Sequence, residues 1–175
     1  MSKLQLETPR LWLRLMQFSD LDDLLKVFGD SRVMASFDTV PFNPEQMENW
    51  VQRNIEHQKS HGYGLFSVIL KSEGIIIGDC GLEHMNVGGD LATELGYDFQ
   101  SDYWNQGYGT ETASSVLDYA FGVLNLTSLT SLIRVGNVAS RRVSAKIGMR
   151  SITEFTTNEI QYWKYAIESR SDKQI

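Results

Sequence analysis

The chain has 175 residues, 42% of them hydrophobic, with 16 basic against 22 acidic side chains and a net charge of −6. That length suits one domain around a single core that buries roughly 70% of the unfolded surface, and the negative balance argues against non-specific nucleic-acid binding while remaining compatible with a cationic substrate. Cys80 is the only cysteine, and His57, His61 and His84 show no ligand spacing with it, which excludes an intrachain disulfide or a Cys-x-x-Cys pair and predicts no metal site.

The first residues, Met-Ser-Lys-Leu-Gln-Leu-Glu-Thr-Pro-Arg, lack the apolar core of a signal peptide. No apolar run approaches the roughly 20 residues of a membrane span. A cytoplasmic protein with no membrane partner is expected.

In chain order, Leu11 to Met16 alternates as a half-buried strand does, with Pro9 marking its start. Ser19 offers an N-cap, and Leu21, Leu24, Leu25 and Phe28 fall on one helical face that stops near Gly29. A second helix begins at Asn43 with Pro44 and Gln46, buries Met47, Trp50, Val51 and Ile55, and ends before Gly62. Tyr63 to Leu70, Ile75 to Leu82 and Leu91 to Phe99 read as an antiparallel meander, joined by Lys-Ser-Glu-Gly and Asn-Val-Gly-Gly-Asp turns. Ala113, Val116, Leu117, Ala120, Phe121 and Leu124 mark a long helix; Ser131 to Val135 is a strand; Asn137 to Ile147 is a helix closed by Gly148. Ile152 to Ile167 gives one or two further strands around a Thr-Thr-Asn turn, and the tail after Glu168 should fray. With no repeat or proline-rich linker, one domain over residues 1–175 is expected, a mixed sheet covered by helices on both faces.

The chemistry concentrates between Glu94 and Thr112, where a strand, a glycine-bearing turn and a helix start follow one another. Gly107 and Gly109 remove side chains where the chain turns, so backbone N–H groups from Gln106 to Thr110 can converge on an anion at the positive end of a helix dipole. A pyrophosphate-like ligand would suit such a turn, although Gly-x-Gly alone is equally a tight strand-to-helix connection. Thr112 stands where a dinucleotide fingerprint needs its third glycine, and no Gly-Lys-Ser or Gly-Lys-Thr is present, so nicotinamide and Walker A readings fall away. A second strand-to-helix constellation follows, Asn137-Val-Ala-Ser140 with Lys146-Ile-Gly148-Met149.

Taken together, these segments resemble the GCN5-related N-acetyltransferases, and within them the RimJ/RimL-like branch that includes ribosomal-protein N-terminal acetyltransferases. Glu7-Thr-Pro-Arg10-Leu-Trp-Leu-Arg14-Leu looks like the family's T-x-R-L-x-L-R opening, Tyr103-Trp-Asn-Gln-Gly-Tyr-Gly-Thr-Glu111 resembles its Y-W-G-x-G-Y-A-T-E loop, and Leu117-Asp-Tyr-Ala-Phe resembles the helix behind it. The resemblance runs from residue 7 to about residue 149. It implies an α/β (α+β) fold with a mixed, mostly antiparallel sheet of about seven strands and helices on both faces. It also implies acetyl-CoA as co-substrate and transfer of its acetyl group to a primary amine, either a protein N-terminus such as that of a ribosomal protein or a small amine. The alternative is a coenzyme A-binding sensor or scaffold without that activity. Either would act as a monomer or homodimer.

Carried onto this sequence, the resemblance places the coenzyme on Asn105, Gln106, Gly107, Tyr108, Gly109 and Thr110, with Tyr97, Asp98 and Phe99 along its pantetheine arm and Asn137, Ser140 and Lys146 on the facing helix. The strand bearing Leu95 and Tyr97 should splay from the Ser131–Val135 strand. Asparagine and glycine replace the family's glycine and alanine at Asn105 and Gly109, and asparagine tolerates the left-handed conformation. Gly136 stands where a polar residue or proline is more usual. Many members use a tyrosine seven residues after the helix asparagine as acid; Ser144 stands there, so Ser140 becomes the preferred donor to the thiolate, unless it only caps the helix. Glu94 is the preferred base, acting through a water, with Glu83, His84 and Glu159 as other candidates. Cys80 reads as a buried apolar residue rather than a nucleophile. Trp12, Trp50, Trp163, Phe37 and Phe42 are core first and acceptor pocket second.

Overall fold

Proline at the first helical position lacks an N–H that would go unbonded there, and it holds the preceding residue extended. Asn43 is extended accordingly, at φ −83° and ψ 168°. Its Oδ1 accepts the Gln46 amide at 2.9 Å while Gln46 Oε1 accepts the Asn43 amide at 2.9 Å. The helix so started runs from Pro44 to His61 and stops on left-handed Gly62, as the sequence predicted.

The computed structural model describes residues 5–87, 89–157 and 159–169. Those residues form strands β1 (Gln5–Glu7), β2 (Leu11–Leu15), β3 (Leu65–Leu70), β4 (Ile75–Val87), β5 (Asp90–Phe99), β6 (Ser128–Arg134), β7 (Arg150–Thr157) and β8 (Ile160–Glu168). The helices are α1 (Leu21–Phe28), α2 (Ser31–Met34), α3 (Pro44–His61), α4 (Tyr108–Gly122) and α5 (Val138–Lys146). All strands join one sheet in the order β1-β2-β3-β4-β5-β6-β8-β7, with every neighbouring pair antiparallel except β5–β6. The α/β class and the mostly antiparallel sheet are those expected, with one strand more. Gly88, Asn158 and the tail from Arg170, on which two predicted turns and the fraying end fall, lie outside the described residues.

Two differences have plain causes. The strand β1 has three residues, too few for alternation to register, and it forms only by pairing with β2, Leu6 opposite Leu13. At α1 the predicted Ser19 cap gives way to Asp20. Residues 18–20 make a single 3₁₀ turn, and buried Asp20 accepts from the Gln17 amide at 2.9 Å, both Arg14 guanidinium nitrogens at 2.8 and 3.0 Å, and the Ser67 hydroxyl at 2.6 Å. A hydroxyl cannot satisfy a guanidinium; a carboxylate can, in a bidentate pair.

Strand alternation divides the core into two clusters, one on each face of the sheet. Leu11, Leu13, Phe66, Val68, Cys80, Leu82 and Leu95 pack with Ala113, Val116 and Ala120 of α4. Leu65 and Ile76 pack with Leu24 and Val27 of α1, Val33 and Met34 of α2, and Met47 and Val51 of α3. Cys80 is fully buried, and burial pushes its thiol far up, so it is core as expected. Among the described residues no helix is long and apolar enough to cross a membrane.

Strand β3 starts at Leu65 while its partner β4 runs on to Val87, and there α3 takes over the exposed edge. The His84 amide donates to His57 Nε2 at 2.8 Å, and the His61 ring stacks on His57 at 4.3 Å. Burial, then the neighbouring His61, lowers the pKa of His57 from 6.5. Protonation would remove the acceptor that His84 uses. Because the folded pKa lies below the unfolded one, this contribution is complete above about pH 6.5 and is lost as pH falls through the folded value. Below pH 6.5 the wild-type urea midpoint should therefore drop relative to that of His57→Gln, which keeps an oxygen acceptor without a titrating ring.

Candidate active site

Parallel strands β5 and β6 share one registered pair, Glu94 opposite Thr130, and then diverge. Two side chains mark the fork. The Leu132 amide donates to Glu94 Oε1 at 2.9 Å, and the Ser131 hydroxyl donates to the Leu95 carbonyl at 2.5 Å. Each takes up a backbone group that a continued ladder would have used. Beyond the fork the facing edges of β5 and β6 part, and a groove of ≈ 950 Å³ opens between Tyr97–Phe99 on one side and Arg134–Ser140 on the other. This is the predicted splay.

The start of α4 closes one end of the groove. Gly107 sits in the left-handed region at φ 86°, and Asn105 does so at φ 59°, the conformation asparagine was expected to tolerate. The first intrahelical bond runs from the Glu111 amide to the Gly107 carbonyl at 3.1 Å, so the amides of Tyr108, Gly109 and Thr110 precede the ladder and face the groove. A Cβ on Gly109 would meet the Tyr97 ring at 3.4 Å, an ordinary van der Waals contact, so that ring would lie against the helix start with either glycine or alanine there. Arg32, Arg134, Arg142 and Lys146 also line the groove, a concentration of positive charge on a chain of net charge −6. Free amides at a helix N-terminus, a left-handed turn and the exposed α5 cations Arg142 and Lys146 fit a pyrophosphate. The parted strand edges fit an extended polar arm.

The loop is held from behind by a contact joining the two ends of the family-like pattern. Glu111 accepts from the Thr8 hydroxyl at 2.6 Å, the Arg10 amide at 3.0 Å and Arg10 Nε at 2.7 Å, and Arg10 Nη2 lies 2.6 Å from its second oxygen. Arg10 Nη1 donates to the Gln106 carbonyl at 2.9 Å, and its guanidinium lies 4.3 Å from the centre of the Tyr108 ring. Burial alone would raise the Glu111 carboxyl; the Thr8 and Arg10 bonds more than reverse it and leave the pKa lowered. Thr8, Arg10 and Glu111 were named in the sequence only as parts of motifs, with no role.

The sequence-predicted site residues divide as follows. Tyr97, Asp98, Phe99, Asn105, Gly107, Tyr108, Gly109, Thr110, Asn137, Ser140 and Lys146 all line the groove. Gln106 lies behind it, with its carbonyl on Arg10 and its side-chain amide on the Asp102 carbonyl. Asn137, rather than Ser140, caps α5, its Oδ1 accepting the Ser140 amide at 3.1 Å. The Ser140 carbonyl accepts the Tyr97 hydroxyl at 3.5 Å, a backbone contact that does not involve the serine Oγ. Ser144 is 2% exposed and faces the core. Gly136 has φ 105°, which explains glycine at a position where the family prefers another residue.

Glu94 belongs to the fifth strand, and it stands at the fork. Residues of β4 and β5 opposite in parity to Cys80, Leu82 and Leu95 face the α1–α3 side, and there two carboxylate pairs lie directly across the ladder, Asp79 with Asp98 and Glu83 with Glu94. Between them Gly81 faces Gly96, and a Cβ on Gly96 would meet nothing within 4 Å. Like charges so placed repel. Burial first, then the charges of Glu83 and Asp98, pushes Glu94 up to about 7 against the Leu132 bond that lowers it. Burial raises Asp79 and Asp98 as well, with their acidic neighbours adding to it. Asp79 Oδ2 is buried without a hydrogen-bond partner among the described residues, as befits a protonated carboxyl.

Other candidates lie elsewhere. Glu159 is exposed in the β7–β8 turn at φ 64°. Trp12 and Phe37, expected in the core, are exposed, with the Lys71 ammonium 5.7 Å from the Trp12 ring centre; Trp50 and Phe42 pack on Phe28, and Trp163 donates to Glu154 at 2.7 Å. None of these residues lines the groove, whose aromatic wall is Tyr97, Phe99, Tyr103, Trp104 and Tyr108.

The sequence profile of the acetyltransferase (GNAT) domain matches residues 10–150. An uncharacterized N-acetyltransferase of Bacillus subtilis (strain 168), YnaD, is 31% identical over 147 residues, covering 84% of this chain and 83% of its own. A GNAT-family acetyltransferase from Bacillus anthracis superposes with TM-score 0.80 at 28% identity, covering 94% of this chain and 98% of that one. A ribosomal-protein-S5-alanine acetyltransferase from Vibrio fischeri shares the fold, with TM-score 0.80 at 20% identity over 98% of this chain and 100% of its own. A forked sheet whose cleft ends on the free amides of α4, matched by a profile covering most of the chain, makes this protein a member of the GNAT family of acetyl-CoA-dependent N-acetyltransferases.

Proposed function

We propose that the chain acetylates a primary amine by direct attack within a ternary complex, with the coenzyme in the β5–β6 groove and the amine reaching it from the α1–α3 face. The observation that carries this reading is the fork itself, because it opens the sheet beside a carboxylate that titrates near neutrality. Acetyl-CoA supplies an activated acetyl group as its thioester. The amides of Tyr108, Gly109 and Thr110 hold the pyrophosphate, and the parted edges at Tyr97–Phe99 hold the pantetheine arm. Positioning both reactants supplies much of the rate, up to roughly 7–11 kcal/mol in ideal cases.

Glu94, at the fork rather than in the groove wall, accepts the amine proton through a water, and a pKa of about 7 suits a base working near neutral pH. Ser140 gives its hydroxyl proton to the departing sulfur; its place in the groove lining, against the burial of Ser144, supports that choice. The acceptor is an amine of a peptide N-terminus or a small molecule. The RimJ/RimL-like motifs and the shared fold of a ribosomal-protein acetyltransferase support the former; the buried acidic ladder suits any ammonium. A co-substrate made and used in the cytoplasm, together with a lone buried thiol, supports a cytoplasmic site of action.

The test is thiol release from acetyl-CoA against a panel of amines and N-terminal peptides, with Ser140→Ala alongside the wild type. Ser140→Ala should lower kcat about a hundredfold with coenzyme Kd unchanged. Tight coenzyme binding without turnover of any amine would sink the proposal.

A further inference from the structure

The two lips of the fork carry opposite charge on the same face. On β6, Leu129 and Ile133 pack with α4, so Arg134, next in alternation, points to the α1–α3 side. That is the side on which Glu94 and Asp98 project from β5. Four cations line the groove, and they are not equivalent. Arg142 and Lys146 are exposed on α5, and Arg32 is held by Asp30 at 2.9 Å and Asp102 at 3.2 Å. Arg134 is only 20% exposed, and its Nη1 is buried with no hydrogen-bond partner among the described residues. Its one ionic neighbour among the described residues is Asp38, 3.6 Å from Nη2, an 87% exposed side chain in a left-handed loop position at φ 53°.

A guanidinium offers five N–H donors in a fork that matches a carboxylate, and leaving one buried and unpaired is costly. Arg134 is thus built for a planar anion that the free protein does not fully supply, and Asp38 stands in for it loosely. A ligand bridging the fork would set an ammonium against the carboxylate lip and an anion against the guanidinium lip.

We propose that Arg134 is the specificity-determining residue for the acceptor, binding a carboxylate carried by the amine substrate, so that the enzyme acts on a small amino-carboxylate, with Asp38 occupying that place in the free protein. This rests on the reading that acetyl transfer occurs at the β5–β6 fork. The same guanidinium discriminates against diamines, whose second ammonium would meet an uncompensated buried cation.

Matched acceptors decide it: lysine against 1,5-diaminopentane, and glutamate and 4-aminobutyrate against propylamine. The wild type should favour the member bearing a carboxylate by at least tenfold in kcat/KM. Arg134→Gln should raise KM for carboxylate-bearing amines more than tenfold, change the others less than twofold, and leave coenzyme Kd unaltered. Asp38→Asn, at an exposed position that should not perturb folding, should lower KM for the same carboxylate-bearing amines. A wild-type preference for the diamines, an Arg134→Gln loss equal for all acceptors, or a loss of coenzyme affinity would each overturn the proposal. If no amine is turned over, the acetyl-transfer reading fails. Calorimetry of lysine and glutamate on wild type, Arg134→Gln and Asp38→Asn, each loaded with coenzyme A, then decides the Arg134 assignment alone: binding weakened by the first variant and strengthened by the second supports it, and any other pattern overturns it.

Discussion

Replacing Glu111 with alanine is expected to weaken coenzyme A binding about thirtyfold, the equivalent of about 2 kcal/mol, and to lower Tm by about 5 °C. The substitution removes the acceptor for the Thr8 hydroxyl, the Arg10 amide and Arg10 Nε, and leaves a guanidinium without its carboxylate. A fully buried pair broken this way costs about 3–5 kcal/mol; with Arg10 43% exposed, water repays part of that. The effect reaches the coenzyme because Arg10 holds the Gln106 carbonyl and covers the Tyr108 ring, the two residues flanking left-handed Gly107. Freed, the turn samples conformations in which the first amides of α4 no longer converge. Glu111→Gln, which keeps an oxygen acceptor, should lose less. The lowered Glu111 pKa sets the pH range: the contribution is complete above about pH 4.5 and is lost as pH falls through the folded value. Calorimetric Kd and thermal melts check both numbers. A lowered Tm with unchanged Kd would show that the contact holds the fold alone.

That contact also shows what a single sequence can and cannot disclose. Asn43, Pro44 and Gln46, or Asn105 and Gly107, declare themselves because their physics is local: caps and left-handed turns are settled within four residues. The Thr8–Arg10–Glu111 contact joins positions about a hundred residues apart, and nothing in either segment names the other. The acidic ladder was hidden differently. Asp79, Glu83, Glu94 and Asp98 were all visible, but their pairing follows from the hairpin register, Val87 opposite Asp90, and a slip of one residue would have turned them to the other face. Ser140 and Ser144, four apart on a helix, share a face in sequence terms; only the packing of α5 sets one at the groove and the other in the core. Arg134 gave no signal, since an arginine ending a strand is ordinarily a solvated side chain.

Glu94→Gln should lower kcat by about two to three orders of magnitude at pH 8, the range expected for losing a positioned general base, while coenzyme Kd stays within twofold. Glutamine is the informative replacement because its side-chain oxygen can still accept the Leu132 amide, so the fork keeps its shape and only the proton acceptor goes. The wild-type rate should climb with pH through about 7 as Glu94 ionises, and the variant's residual rate should lack that limb. Stability should move the opposite way. A carboxyl whose folded pKa is raised from 4.5 to about 7 stabilises the fold fully below the lower value and loses that contribution as pH rises through the upper one. The same ionisation that arms the base therefore works against the sheet that carries it, with Asp79 and Asp98 adding like charge across the ladder. Wild-type urea midpoints should fall between about pH 4.5 and 7, and Glu94→Gln should flatten that fall. An unchanged rate limb in the variant would assign the titration to Asp98 or Glu83 instead. The base would then sit across the ladder from Glu94 or four residues along β5 from it.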